Sequence, residues 1–137
     1  MTPRKIDHIA IATRSIAEAA RFYTEGLGLT LSPVEEVADQ KILAAFVRVG
    51  DVKIELMEPT SPDSPISGFL DRRGPGLHHV CYAVDDVDAA LGDLKARGLR
   101  VLDEVPRTGA HGARIAFLHP KATDGVLTEL SQPVHES

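Results

Sequence analysis

Four residues of two types have the character and spacing of a metal site, and each lies inside an apolar run with strand-like composition. They are His8, Glu55, His79 and Glu129. A carboxylate buried in such a strand costs several kcal/mol unless its charge is offset, and a divalent cation offsets it better than a neutral imidazole does. Two imidazoles and two carboxylates suit Co, Ni, Mn, Zn or Fe(II) and leave coordination positions open for a substrate.

An internal repeat relates these four residues. Residues 5–29 align with residues 76–100 at an offset of 71, which places His8 on His79. Glu55 follows His8 by 47 residues and Glu129 follows His79 by 50, so that one short insertion restores the repeat. Each half therefore contributes one His and one Glu. The alternative interpretation is that the histidines are ordinary core residues and the glutamates are half-exposed carboxylates on edge strands.

The elements that carry these residues recur in the same order in both halves. A β-rich run is followed by a polar cap and by a helix with an apolar stripe at i, i+3, i+4 and i+7 spacing. The stripes are Ile16, Ala19, Ala20 and Tyr23 in the first half and Val87, Ala90, Leu91 and Leu94 in the second. Further strand-like runs follow at 43–49, 52–57, 114–118 and 126–130, the first two joined by a Gly50-Asp51 turn.

These patterns predict an α+β fold built from two tandem βαβββ modules. We place the modules at about residues 5–58 and 76–132, within a single domain that covers residues 1–137. The intervening residues 59–75 are rich in Pro and Gly and form a linker, with a short helix around 66–71. A second module covers the sheet face that a single module would leave bare.

The net charge restricts the possible binding partners, and the cysteine content indicates the cellular compartment. The chain of 137 residues has a net charge of −5, so it lacks the basic face that nucleic acids or anionic membranes require. No apolar stretch approaches the length of a membrane span, and the N-terminus has no apolar targeting segment. Cys81 is the single cysteine, which fits a reducing compartment. We expect a cytoplasmic protein that binds neither nucleic acid nor membrane.

Several segments together resemble the methylmalonyl-CoA epimerase family of the vicinal oxygen chelate superfamily. They are residues 6–10, 54–59, 64–66, 76–80, 109–112, 117–121 and 125–130. The resemblance implies paired βαβββ modules whose sheets form a metal-containing cleft, a homodimer and an acyl-CoA thioester substrate. It also implies that His8, Glu55, His79 and Glu129 are the metal ligands, the same four residues that the repeat selects. Cobalt is the expected ion, with manganese, nickel and zinc as alternatives.

The resemblance also implies a reaction, the interconversion of (2R)- and (2S)-methylmalonyl-CoA by proton abstraction at C2 through a metal-stabilised enolate. Inversion requires an acid or base on each face of C2. Glu129 is the first candidate. Some members of the family carry a further Glu in the strand before the Glu55 hairpin, where this chain has Ala44. Glu55 is therefore the candidate for the second base, because similar glyoxalase I enzymes use two metal-bound carboxylates.

Two alternatives share this fold. A glyoxalase-I-type lyase acting on a glutathione hemithioacetal uses the same ligand types and the same kind of enediolate chemistry. A metal-free small-molecule-binding protein of the same superfamily uses the cleft without catalysis, and such proteins usually lack the full set of four ligands.

Overall fold

The computed structural model describes residues 2–134 and divides the chain into two compact units. One unit is His8–His78, and the other combines Met1–Asp7 with His79–Ser137. Three α-helices and eight strands make up the described part: β1 (Lys5–Ala12), α1 (Ile16–Arg21), β2 (Glu35–Val37), β3 (Ile42–Val49), β4 (Val52–Pro59), α2 (Pro65–Arg73), β5 (Gly76–Ala83), α3 (Val87–Ala96), β6 (Arg107–Thr108), β7 (Arg114–Leu118) and β8 (Thr128–Gln132). Within residues 2–134, no helix has the length and apolarity needed to cross a bilayer.

The first βαβββ module, β1 to β4, contributes four strands to a sheet in the order β2-β3-β4-β1. β1 and β4 are parallel, whereas β3 is antiparallel to both β2 and β4. The hairpin between β3 and β4 turns at Gly50, whose φ of 62° lies in the left-handed region that glycine adopts without strain. The predicted Gly50-Asp51 turn is thus confirmed.

The second module, β5 to β8, repeats this arrangement. Its strand order is β5-β8-β7-β6, with β5 parallel to β8 and β7 antiparallel to its neighbours β8 and β6. In both modules the first strand pairs in parallel with the last. The helix of each module carries the chain from the first strand to the second strand, which lies three places away in the strand order.

Each helix covers one face of its own sheet. In the first module Ile16 and Ala20 of α1 pack against Ala45 and Leu56. In the second module the buried residues of α3 pack against β7 and β8: Val87, Ala90 and Leu91 lie on Ala116, Leu118 and Leu130. Both helices begin at a polar cap, since Ser15 accepts from Glu18 N–H and Asp86 from Ala89 N–H. The apolar stripes predicted from sequence are confirmed.

The structure differs from the sequence expectations in three local features. The second strand of each module is short, three residues in β2 and two in β6, and carries too little pattern to be located from sequence. β8 begins at Thr128 rather than Val126, which is exposed in the preceding turn. α1 ends at Arg21 and continues as a π-helical turn over Phe22–Gly26.

Candidate active site

The first His–Glu pair joins β1 to β4. His8 Nε2 lies 3.2 Å from Glu55 Oε1, and the two side chains are 8% and 7% exposed. Glu55 lies opposite Ala10 in the parallel register, two residues after His8 on the same face of β1. Because the Ala10 side chain is small, it does not block the diagonal contact between the His8 imidazole and the Glu55 carboxylate.

The second His–Glu pair joins β5 to β8 in the same way. His79 Nε2 lies 2.9 Å from Glu129 Oε1, and the side chains are 2% and 6% exposed. Glu129 lies opposite Cys81, two residues after His79, and the Cys81 side chain is fully buried. A small residue again occupies the position between the two partners.

One phenylalanine supports each pair. Phe46 on β3 lies opposite Glu55, and its ring meets the His8 ring edge to face at 5.8 Å and 76°. Phe117 on β7 lies opposite Glu129, and its ring meets His79 at 5.1 Å and 83°. Such contacts fix the orientation of an imidazole. The sequence interpretation missed both residues, although they are separated by the same offset of 71 as the histidines.

In each module, one further side chain links the helix to the strand that carries the glutamate of the His–Glu pair. Glu58 Oε1 accepts from Ile16 N–H at 2.9 Å, and Gln132 Oε1 accepts from Val87 N–H at 3.0 Å. Each acceptor lies three residues after the glutamate of its module. These bonds satisfy a backbone donor in the first turn of α1 or α3, a region where helices leave N–H groups unpaired.

The interpretation of the glutamates as half-exposed residues on edge strands is wrong. Both carboxylates are about 95% buried, at 5% and 4% exposure for Glu55 and Glu129. β4 lies between β3 and β1, and β8 lies between β5 and β7, so that neither strand is an edge. Ala44 is fully buried opposite Met57 and supplies no acid or base.

The donor chemistry of both pairs fits a divalent metal ion. Each pair presents an imidazole nitrogen and a carboxylate oxygen at close range, and each carboxylate is shielded from the water that would otherwise stabilise its charge. The structure thus brings His8 to Glu55 and His79 to Glu129, which are the four residues selected from the sequence.

A sequence profile of the Glyoxalase/Bleomycin resistance protein/Dioxygenase superfamily matches residues 7–117. The chain belongs to this superfamily. Its α+β architecture of two βαβββ modules is the vicinal oxygen chelate fold, as the sequence patterns predict. Several relatives at about 40% identity are named as methylmalonyl-CoA epimerases.

The chain is 42% identical over 129 residues to the mitochondrial methylmalonyl-CoA epimerase of Homo sapiens, which covers 93% of this chain and 73% of that protein. It is 40% identical over 130 residues to the ethylmalonyl-CoA/methylmalonyl-CoA epimerase of Cereibacter sphaeroides, covering 93% and 97% of the two chains. A solved structure of methylmalonyl-CoA epimerase in complex with methylmalonyl-CoA and NH4+ matches with a TM-score of 0.94 and 35% identity over 99% of both chains.

Proposed function

We propose that the protein is a metal-dependent epimerase that interconverts (2R)- and (2S)-methylmalonyl-CoA. The observation that carries this proposal is the duplication of a buried His–Glu pair, with 3.2 and 2.9 Å between nitrogen and oxygen. The relatives named above are epimerases of methylmalonyl-CoA, and one of them also acts on ethylmalonyl-CoA by its name. An acyl-CoA thioester with a malonyl-type acyl group is therefore the proposed substrate.

We further propose that His8, Glu55, His79 and Glu129 bind one divalent ion together, with cobalt as the expected metal. Two buried carboxylates offset the charge of the ion, and two neutral imidazoles complete a mixed set of ligands. When bound, the metal supplies Lewis-acid stabilisation of the negative charge that develops on the substrate as C2 loses its proton.

The two glutamates carry the protons. Glu129 takes the C2 proton from one face of the substrate, and Glu55 delivers a proton to the opposite face, which inverts the configuration at C2. In the reverse direction the two residues exchange roles. Burial suits this task because exclusion of bulk water while the substrate is bound leaves the two carboxylates as the groups that exchange protons with C2. Between turnovers the carboxylates equilibrate their protons with solvent. Phe46 and Phe117 hold the neighbouring imidazoles in place.

We also propose an oligomeric state and a cellular location. A homodimer is implied by the family resemblance and is tested by sedimentation of the purified protein. A cytoplasmic location is favoured by the presence of a single cysteine, which cannot form a disulfide within the chain, although the human relative is named as mitochondrial. Fractionation of the source cells, followed by immunodetection, distinguishes these locations.

The function is tested by incubating metal-loaded protein with one stereoisomer of methylmalonyl-CoA in D2O. The proposal predicts a mass gain of one deuterium at C2 and the appearance of the other stereoisomer. A sample treated with a chelator is the control and remains inactive. If metal is bound but neither exchange nor inversion occurs, the proposal is wrong, and the hemithioacetal of glutathione becomes the substrate to assay. If no metal binds, the metal-free binding function becomes the better explanation.

A further inference from the structure

Three basic side chains lie together where the chain leaves β7, and we refer to Arg100, His119 and Lys121 as the basic cluster. His119 directly follows β7, Lys121 lies two residues further, and Arg100 belongs to the segment between α3 and β6. The His119 N–H donates to the Arg100 carbonyl at 3.1 Å, and Val101 forms a β-bridge with Leu118. These backbone contacts hold Arg100 beside the loop that joins β7 to β8.

The start of this loop fixes the His119 imidazole. Pro120–Ala122 form a short 3-10 turn, and His119 Nδ1 accepts from the Lys121 N–H at 3.0 Å. A ring nitrogen that accepts a hydrogen bond carries no proton, so the neutral ring has its proton on Nε2, which is a donor. Partial burial and the positive charges of Arg100 and Lys121 lower the pKa of His119, which favours this neutral form. Both charges therefore act on the same imidazole.

The two cations of the basic cluster have no carboxylate partner among residues 2–134. Arg100 and Lys121 are exposed and form no ion pair there. Most other cations of the same compact unit are paired with a carboxylate: Arg4 with Asp85, Lys95 with Glu104, Arg97 with Asp93, Arg107 with Asp103 and Arg114 with Asp88. Since neighbouring like charges repel, a bound anion would stabilise the basic cluster.

The basic cluster lies close to the second His–Glu pair. Phe117, which is opposite Glu129 and contacts His79, lies two residues before His119, and an extended chain spans about 7 Å over that length. His119 has extended dihedral angles, φ −70° and ψ 136°, and side chains alternate along an extended chain, so its side chain leaves on the same face as that of Phe117. A ligand that reaches Glu129 can therefore extend past Phe117 to the basic cluster.

We propose that Arg100, His119 and Lys121 bind phosphate groups of the coenzyme A nucleotide. The inference rests on the proposed function, which gives the site an acyl-CoA substrate whose acyl group and phosphates lie at opposite ends of the pantetheine arm. With C2 at Glu129, the phosphates are the anions of this substrate that lie away from the proposed metal ligands. Arg100 and Lys121 supply positive charge to the phosphate oxygens, and His119 Nε2 supplies a neutral donor.

The test compares propionyl-CoA with propionyl-pantetheine, a thioester without the nucleotide, by titration calorimetry with cobalt-loaded protein. We expect the double variant Arg100→Gln/Lys121→Gln to bind propionyl-CoA at least about ten-fold more weakly, because it loses two hydrogen bonds between charged groups. Its affinity for propionyl-pantetheine changes less than about two-fold, because that ligand carries no charge for these residues to attract.

A third ligand, the propionyl thioester of dephospho-CoA, identifies which phosphate is bound. If the double variant and the unsubstituted protein bind this ligand equally well, the basic cluster binds the 3′-phosphate. If the loss of affinity persists, the basic cluster binds the diphosphate.

Lys95→Gln/Arg97→Gln is the matched control, since it removes two exposed cations that are paired with carboxylates in the same unit. It lowers the affinity for propionyl-CoA less than about two-fold. An equal loss for both thioesters in the double variant, no loss, or a comparable loss in the control overturns the inference. The ratio of the two affinities is measured within each protein, so it does not depend on the fraction that is folded. Failure of the proposed function is a separate result, because it is seen as absent deuterium exchange in unsubstituted protein that still binds propionyl-CoA.

Discussion

The two His–Glu pairs share their supporting contacts and differ in their charge. In both, the glutamate lies on the last strand, the histidine on the parallel first strand and a phenylalanine opposite the glutamate. Lys53 accompanies only the first pair, where its Nζ lies 5.3 Å from the ring centroid of Phe46, and the second pair has Leu127 at the equivalent position. The shared features are those that would orient the proposed metal ligands, and the unshared residue makes the two pairs different.

The largest expected effect concerns the histidines, because the comparison predicts that they are equally necessary. We expect His8→Ala and His79→Ala each to lower cobalt affinity by more than about 100-fold, beyond the loss typical of residues that only support a ligand. Isothermal titration with cobalt measures this. His78→Ala is the control, since the neighbouring position points to the opposite face of β5. A normal affinity in either variant would show that the pairs do not share one ion.

The phenylalanines test whether the supporting contacts are also equivalent. Replacement by Leu removes the edge-to-face contact while retaining an apolar side chain, and should cost about 1 kcal/mol in unfolding free energy. We expect Phe46→Leu and Phe117→Leu to lower cobalt affinity by about ten-fold each, as loss of a residue that orients a ligand does. Denaturant unfolding and cobalt titration give the two quantities. An effect confined to one variant would show that the two phenylalanines do not support their His–Glu pairs equally.

A smaller effect on stability is expected where the two modules use different residue types to accept the same hydrogen bond. Glu58 and Gln132 accept equivalent N–H bonds from α1 and α3. Because Gln132 does this with an amide oxygen, Glu58→Gln should leave stability unchanged, whereas Glu58→Ala and Gln132→Ala should each cost about 1 kcal/mol. Urea unfolding distinguishes these outcomes. A destabilised Glu58→Gln would mean that the first module needs the charge as well as the acceptor.

The smallest effects belong to two exposed ion pairs, one in each unit. A hydrogen bond from Lys41, aided by one from Ser61, lowers the pKa of Asp63 to about 2, and Arg114 lowers the pKa of Asp88 from 3.8 in the same manner. Both pairs contribute fully above pH 3.8, and the Asp63 contribution disappears as the pH falls toward 2. NMR titration of Lys41→Gln should show the pKa of Asp63 rising toward 3.8 with that of Asp88 unchanged. A shift of both would imply coupling between the pairs.

The sequence predicts the fold and the four candidate ligands because both are repeated. Recurrence of His8 at His79, with a glutamate later in each half, reduces the chance that any one match is accidental. Phe46 and Phe117 obey the same offset, but a phenylalanine in a strand is so common that its functional contact is visible only once the register is known. The position of Lys53 beside the first pair was not predicted, because an alternating strand pattern treats any lysine as solvent-facing. The contact with the Phe46 ring depends on side-chain direction, which the pattern does not contain.

In the proposed mechanism, each module supplies the base for one face of C2. It is tested most directly by following deuterium exchange separately from (2R)- and (2S)-methylmalonyl-CoA in metal-loaded Glu55→Gln and Glu129→Gln. We expect inversion to fall by about 100-fold or more in both variants. Each variant still exchanges the C2 proton of one stereoisomer, and the two variants retain opposite stereoisomers. Retention of the same stereoisomer by both variants, or continued inversion in either, with cobalt content intact, would contradict the account.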